Sequence, residues 1–157
     1  MSPTRRPTVA TIGYQAATVP SFLAALAEAR VELLVDVRAV ASSRRPGFSK
    51  SRLVGNLAEA GIAYVHLRGL GTPAAGRAAA RAGRPGRMRS IFLEHLRTHG
   101  AQAELGELAE LVRGGRRVCL LCFEADPAHC HRTLVADALA ERVPIEIRHL
   151  HPHDTPS

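Results

Sequence analysis

The chain has no tryptophan, two tyrosines, four phenylalanines and three cysteines. Its only lysine is Lys50, so 20 of its 21 basic residues are arginine. With so few aromatics there are few platforms on which unpaired bases could stack, and a nucleic-acid partner would be held mainly through phosphate, with a steep salt dependence. Three cysteines, an odd number in a chain this long, do not read as a disulfide framework. No apolar run approaches the ~20 residues that span a bilayer. The opening Met1-Ser2-Pro3-Thr4-Arg5-Arg6-Pro7 is basic but lacks the apolar segment of a signal peptide. These absences point to a cytoplasmic protein with no membrane partner. Nothing in the sequence fixes an oligomeric state.

What is present suits a single α/β domain. A chain of 157 residues is long enough to bury roughly 70% of its unfolded surface without metal or disulfide staples. We expect one domain over 1–157, with a core over about 8–150 and a loose tail over 151–157. Short β-branched runs alternate with stretches of helical period, the pattern of βαβ units. The expected fold has three layers: a mostly parallel sheet of about five strands with helices on both faces. The strands read as 8–12, 33–37, 62–67, 117–123 and 144–149. Pro20 or Ser21 opens the first helix, a second runs to about Ala60 and stops at Gly61, and others cover about 88–98, 101–113 and 132–142.

From Leu67 to Leu93 there are six arginines (Arg68, Arg77, Arg81, Arg84, Arg87 and Arg89) and no acidic residue. The stretch 68–87 reads as a long Arg-rich loop with at most a helical turn over 74–81. A loop of that length is unusual in a compact domain and generally functional, and one so basic suits an anionic partner.

In open parallel sheets, ligands bind beyond the carboxyl ends of the strands. Every expected strand here ends on polar or reactive groups: Gly13-Tyr14, Asp36-Val37-Arg38, His66, Cys122-Phe123-Glu124 and His149. Asp36 and Arg38 share a side and either pair structurally or grip an anion, with Asp36 as orienter or base. Ser43 and Arg44 follow in a loop of turn residues. Cys122 and Glu124 share a strand face, whereas Cys119 faces the other way; the Cys119-x-x-Cys122 spacing is therefore no redox or zinc motif. Asp126-Pro127 makes a turn, and Cys130, His131 and Arg132 fall at the start of the last helix. There the free N–H groups stabilise a thiolate or hold an anion, with Arg132 beside them.

The spacing of Cys122, Cys130, His129 and His131 matches no zinc knuckle, so the sequence assigns no metal and no cofactor.

The motifs together resemble domain-of-unknown-function family 488. The resemblance rests on Thr11-Ile12-Gly13-Tyr14, Phe22-Leu23, Leu34-Val35-Asp36-Val37-Arg38 with Ser43-Arg44, Gly61-Ile62-Ala63-Tyr64 and Leu70-Gly71. It is closest in Cys122-x-Glu124, Cys130-His131-Arg132 and the closing His149. It covers about residues 9 to 150. Leu70-Gly71-Thr72-Pro73, Gly76-Arg77 and Ala80-Arg81-Ala82-Gly83-Arg84 are similar to an Arg-rich branch of the family. Where the family often has His-Ser after the first glycine, this chain has Tyr14-Gln15. The resemblance implies an α/β fold with a parallel sheet and no established reaction.

Four functions stay open on these residues. The first is an enzyme or enzyme-like binder of a phosphate-bearing ligand, a nucleotide or nucleic-acid component. Glu124, Asp36, Cys122, Cys130 and Tyr14 are its catalytic candidates; Arg38, Ser43, Arg44, His66, His131 and Arg132 would bind. The second is thiol chemistry, with Cys130 or Cys122 as nucleophile or redox pair. The third is a non-catalytic nucleic-acid module. The fourth is a purely structural network.

Overall fold

The computed structural model describes residues 6–152. The basic 1–5 and the tail at 153–157 lie outside the described residues. Five parallel strands, β1 (Thr8–Gly13), β2 (Leu33–Asp36), β3 (Ala63–His66), β4 (Val118–Cys122) and β5 (Glu146–Leu150), form one sheet in the order β3-β2-β4-β1-β5. β2 and β4 are buried along their whole length, as strands covered on both faces should be.

Helices α1 (Val19–Glu28) and α2 (Lys50–Glu59) cover one face, where Phe22, Leu26, Leu53 and Leu57 meet Ile12, Leu34, Cys119 and Leu121. On the other face α4 (Pro85–Leu96), α5 (His99–Arg113) and α6 (His131–Ala140) bring Phe92, Leu108 and Leu139 against Val9, Val35 and Leu120. The result is the expected three-layer α/β fold. Among the described residues no helix is long and apolar enough to cross a membrane.

Two local expectations are corrected. The cap of α1 is Thr18, not Pro20 or Ser21: its hydroxyl accepts from the Ser21 amide while the Ser21 hydroxyl accepts from the Thr18 amide, a reciprocal box with Pro20 in the first turn. The stretch expected as a long loop is largely helical, with a 3₁₀ turn over Arg68–Leu70, α3 (Ala74–Arg81) and the first turn of α4, which begins at Pro85 rather than Met88. Its alanines favour helix, Gly83 takes a left-handed conformation (φ 73°) between α3 and α4, and Pro85 sits where a helix tolerates it. Gly61 ends α2 as expected, at φ 75°.

Candidate functional site

Strand β4 lies between β2 and β1. The chain leaves β1 and β2 for the face covered by α1 and α2, and leaves β4 for the face covered by α6. Neighbouring strands whose exits diverge in this way open a crevice at their carboxyl ends. Cys122, the last residue of β4, stands there in register with Gly13. The two exits stay joined beyond the strands: the Tyr14 amide donates to the Cys122 carbonyl (3.3 Å) and the Gln15 amide to that of Phe123 (2.8 Å). Gly13 is required for this approach, since a Cβ there would run into the Glu124 carbonyl and crowd the Arg132 guanidinium.

A cavity of about 590 Å³ occupies the crevice. Cys122, Cys130 and His131 form its buried floor, with 7%, 3% and 6% of their surfaces exposed. Tyr14, Phe123, Val40 and Met88 give it an apolar wall. Arg44, Arg45, Arg77 and Arg81 line it too, and none of these four forms an ion pair among the described residues. Arg45 donates through Nη2 to the Ala17 carbonyl, and its buried Nε has no partner.

The floor is organised by one imidazole. His131 Nε2 lies 2.7 Å from the Val37 carbonyl, which can only accept, so Nε2 carries the proton and Nδ1 is aimed at the two sulfurs. Cys122 Sγ is 3.4 Å from Nδ1 and Cys130 Sγ 4.0 Å. Burial pushes the Cys130 thiol up, but the hydrogen bond from Cys122, the His131 ring beside it and the charge of Arg132 outweigh it, and the thiol ends well below its ordinary range. Cys122 moves the opposite way, raised first by its bond to Cys130 and then by burial. Glu124, half-buried at the cavity wall, is raised by desolvation and by the charge of Cys130. Cys119 lies in the core of the opposite face, away from the pair, and burial raises it.

Asp36 and Arg38 form a buried, two-pronged ion pair. Arg38 Nε donates to Asp36 Oδ1 (2.9 Å) and Nη2 to Oδ2 (2.8 Å), while Tyr64 donates its hydroxyl to Oδ2 at 2.6 Å. Burial alone would lower the Arg38 pKa, yet the bonds to Asp36 hold it above its usual value. Arg38 also donates to the Tyr14 hydroxyl and the Phe48 carbonyl, and Tyr14 stacks on Phe48 at 4.7 Å between centroids.

The sequence-derived candidates thus divide. Tyr14, Arg38, Ser43, Arg44, Cys122, Glu124, Cys130 and His131 line the cavity. Asp36, His66 and Arg132 do not. His66 Nε2 holds the Arg38 carbonyl at 2.7 Å. Arg132 is fully buried and turned inward, donating to Thr11 Oγ1 (3.0 Å) and to the Glu124 and Ala125 carbonyls. Thr11 in turn bonds His149 Nδ1 at 2.6 Å. Of the six arginines over 67–93, Arg77 and Arg81 reach the cavity. Sequence reasoning missed Arg45, Tyr64 and Met88. Arg45 had a signal, since it follows Arg44 in the loop beyond β2, and Tyr64 had one in the Gly61-Ile62-Ala63-Tyr64 motif; Met88 had none.

A family model for the domain of unknown function DUF488 matches residues 18–139. The chain belongs to the DUF488 family. The matched span contains Asp36, Arg38, Cys122, Glu124 and the Cys130-His131-Arg132 triplet, while Gly13 and Tyr14 precede it. No curated protein and no solved structure matches the chain. The description of DUF488 names no reaction.

Proposed function

We propose that the protein is an enzyme acting on a small phosphate-bearing ligand, a nucleotide or nucleic-acid component, bound in the cavity beyond β4. The observation that carries this reading is the lining: four arginines without carboxylate partners face a floor of Cys122, Cys130 and His131. Guanidinium forks suit phosphate oxygens. The volume lies within the roughly 300–1,000 Å³ of small-molecule sites. Tyr14, Phe123, Val40 and Met88 give an apolar surface for a base or similar flat group. Glu124, desolvated at the wall, is the acid–base candidate, and Arg38 fixes Tyr14.

A thermal-shift screen of nucleosides, mononucleotides, sugar phosphates and inorganic phosphate tests the reading, run on wild type and on Arg44→Ala/Arg81→Ala. Both of these arginines are exposed, so the fold should survive their loss. The expected result is stabilisation by phosphate-bearing compounds, with an apparent affinity that weakens about tenfold or more in the double variant, at about 1.5–3 kcal/mol per charged hydrogen bond lost. Equal shifts in both proteins, or none from any anion, would overturn it.

A further inference from the structure

We propose that Cys122, Cys130 and His131 bind one divalent cation of zinc type, through both sulfurs and Nδ1, with the fourth coordination position facing the cavity. The inference rests on the cavity reading above and says what sits at its floor. The three donor atoms lie within 4.8 Å of one another. A tetrahedral zinc with sulfur at about 2.3 Å and nitrogen at about 2.05 Å needs sulfur–nitrogen separations of about 3.5 Å and a sulfur–sulfur separation of about 3.8 Å. The two sulfur–nitrogen distances, 3.4 and 4.0 Å, bracket the first of these values.

The imidazole is already set for a metal. Its Nε2–H is anchored on the Val37 carbonyl, the outer contact that fixes tautomer and ring orientation in metal-binding histidines, and Nδ1 is left with its lone pair toward the sulfurs. Without a cation, the Cys122 thiol bonds to Cys130 and both sulfurs crowd that single ring nitrogen. With one, all three donors are satisfied together. Coordination displaces the thiol protons to solvent, and two thiolates balance the dication. The guanidinium of Arg132, next in sequence and bonded to the Glu124 carbonyl, then leaves the floor with one net positive charge. An anionic fourth ligand, hydroxide or a phosphate oxygen entering from the cavity, neutralises it. Three protein ligands and one open position is the pattern of catalytic rather than structural zinc.

The test is a titration of chelator-stripped, reduced protein with cobalt(II) and then zinc. One equivalent of cobalt should produce a thiolate-to-metal charge-transfer band with tetrahedral visible bands, and zinc should displace it. The histidines of the chain's end cannot mimic this readout, because they bring no sulfur. The band should persist in Cys119→Ala and weaken in Cys130→Ser. Its absence from natively folded wild type, or its survival at full strength in Cys130→Ser, would overturn the proposal. If Cys130→Ser does not fold, alkylation of wild type decides: zinc should protect Cys122 and Cys130, located by peptide mass, and equal rates with and without zinc would sink the idea. The two readings separate on the stripped protein. Phosphate stabilisation with no cobalt band removes only the metal; a cobalt band with no response to anions removes only the phosphate-bearing ligand.

Discussion

Asp36 accepts four hydrogen bonds, three of them from Arg38 and one from Tyr64, and is fully buried. A carboxylate so occupied is a clamp for Arg38, not a free base. Asp36→Asn would leave a buried guanidinium without its counter-charge, and we expect it to cost about 3–5 kcal/mol in urea unfolding. Arg132 gives a second case. Arg132→Ala leaves Thr11 Oγ1 with His149 alone and takes the donor from the part-buried Glu124 and Ala125 carbonyls, and at about 1–3 kcal/mol per unsatisfied group the loss should be about 2 kcal/mol or more. A failure of that variant to bind ligand would therefore report on folding, which is why the cavity is better probed through Arg44 and Arg81. Sequence placed Asp36 beside Arg38 and Cys122 in the same segment as Cys130, because strand alternation and the helix start are local signals. It had no means of telling that the Arg132 fork turns inward, since that depends on Thr11, 121 residues away.

At the scale of elements, the site depends on how β1 and β4 leave the sheet side by side. Gly13 makes the contact possible, and Gly13→Ala would force the Glu124 carbonyl away. We expect a loss of about 1–3 kcal/mol in thermal or urea unfolding, as for other overpacked positions. The five strands were legible because each is a short β-branched or apolar run bounded by glycine, proline or charge. The full length of α3 and the first turn of α4 were not: glycine, proline and arginine at 68–87 carry the composition of a loop. Yet Gly76 is buried against Thr72 and Ile91, and Met88 and Phe92 dock on the sheet, so packing overrides local composition. The same packing brings Arg77 and Arg81 to the cavity, a placement that no spacing in the sequence announces.

At the scale of the molecule, a formal net charge of +7 matters through its distribution. Arginines from the loop after β2 and from α3 converge on one cavity, where anions should be held more weakly as salt rises. Affinity for a phosphate-bearing ligand should therefore fall when sodium chloride is raised from about 0.05 to 0.5 M, spanning Debye lengths from more than 10 Å to less. An affinity by calorimetry that ignores salt would argue for an uncharged ligand. The end-of-strand rule led from sequence alone to the edge of the sheet where the cavity opens. It overcounted there, since His66 and His149 end their strands without reaching the cavity.

The central claim, that the crevice beyond β4 receives a small phosphate-bearing ligand, is tested most directly by amide shift mapping of ¹⁵N-labelled wild-type protein. Inorganic phosphate and a mononucleotide would be added in separate titrations. The account predicts saturable shifts confined to the amides around Tyr14, Ser43 to Arg45, Ala80 to Arg81 and Phe123 to His131. Saturable shifts centred elsewhere, or none in a spectrum that remains folded, would contradict it.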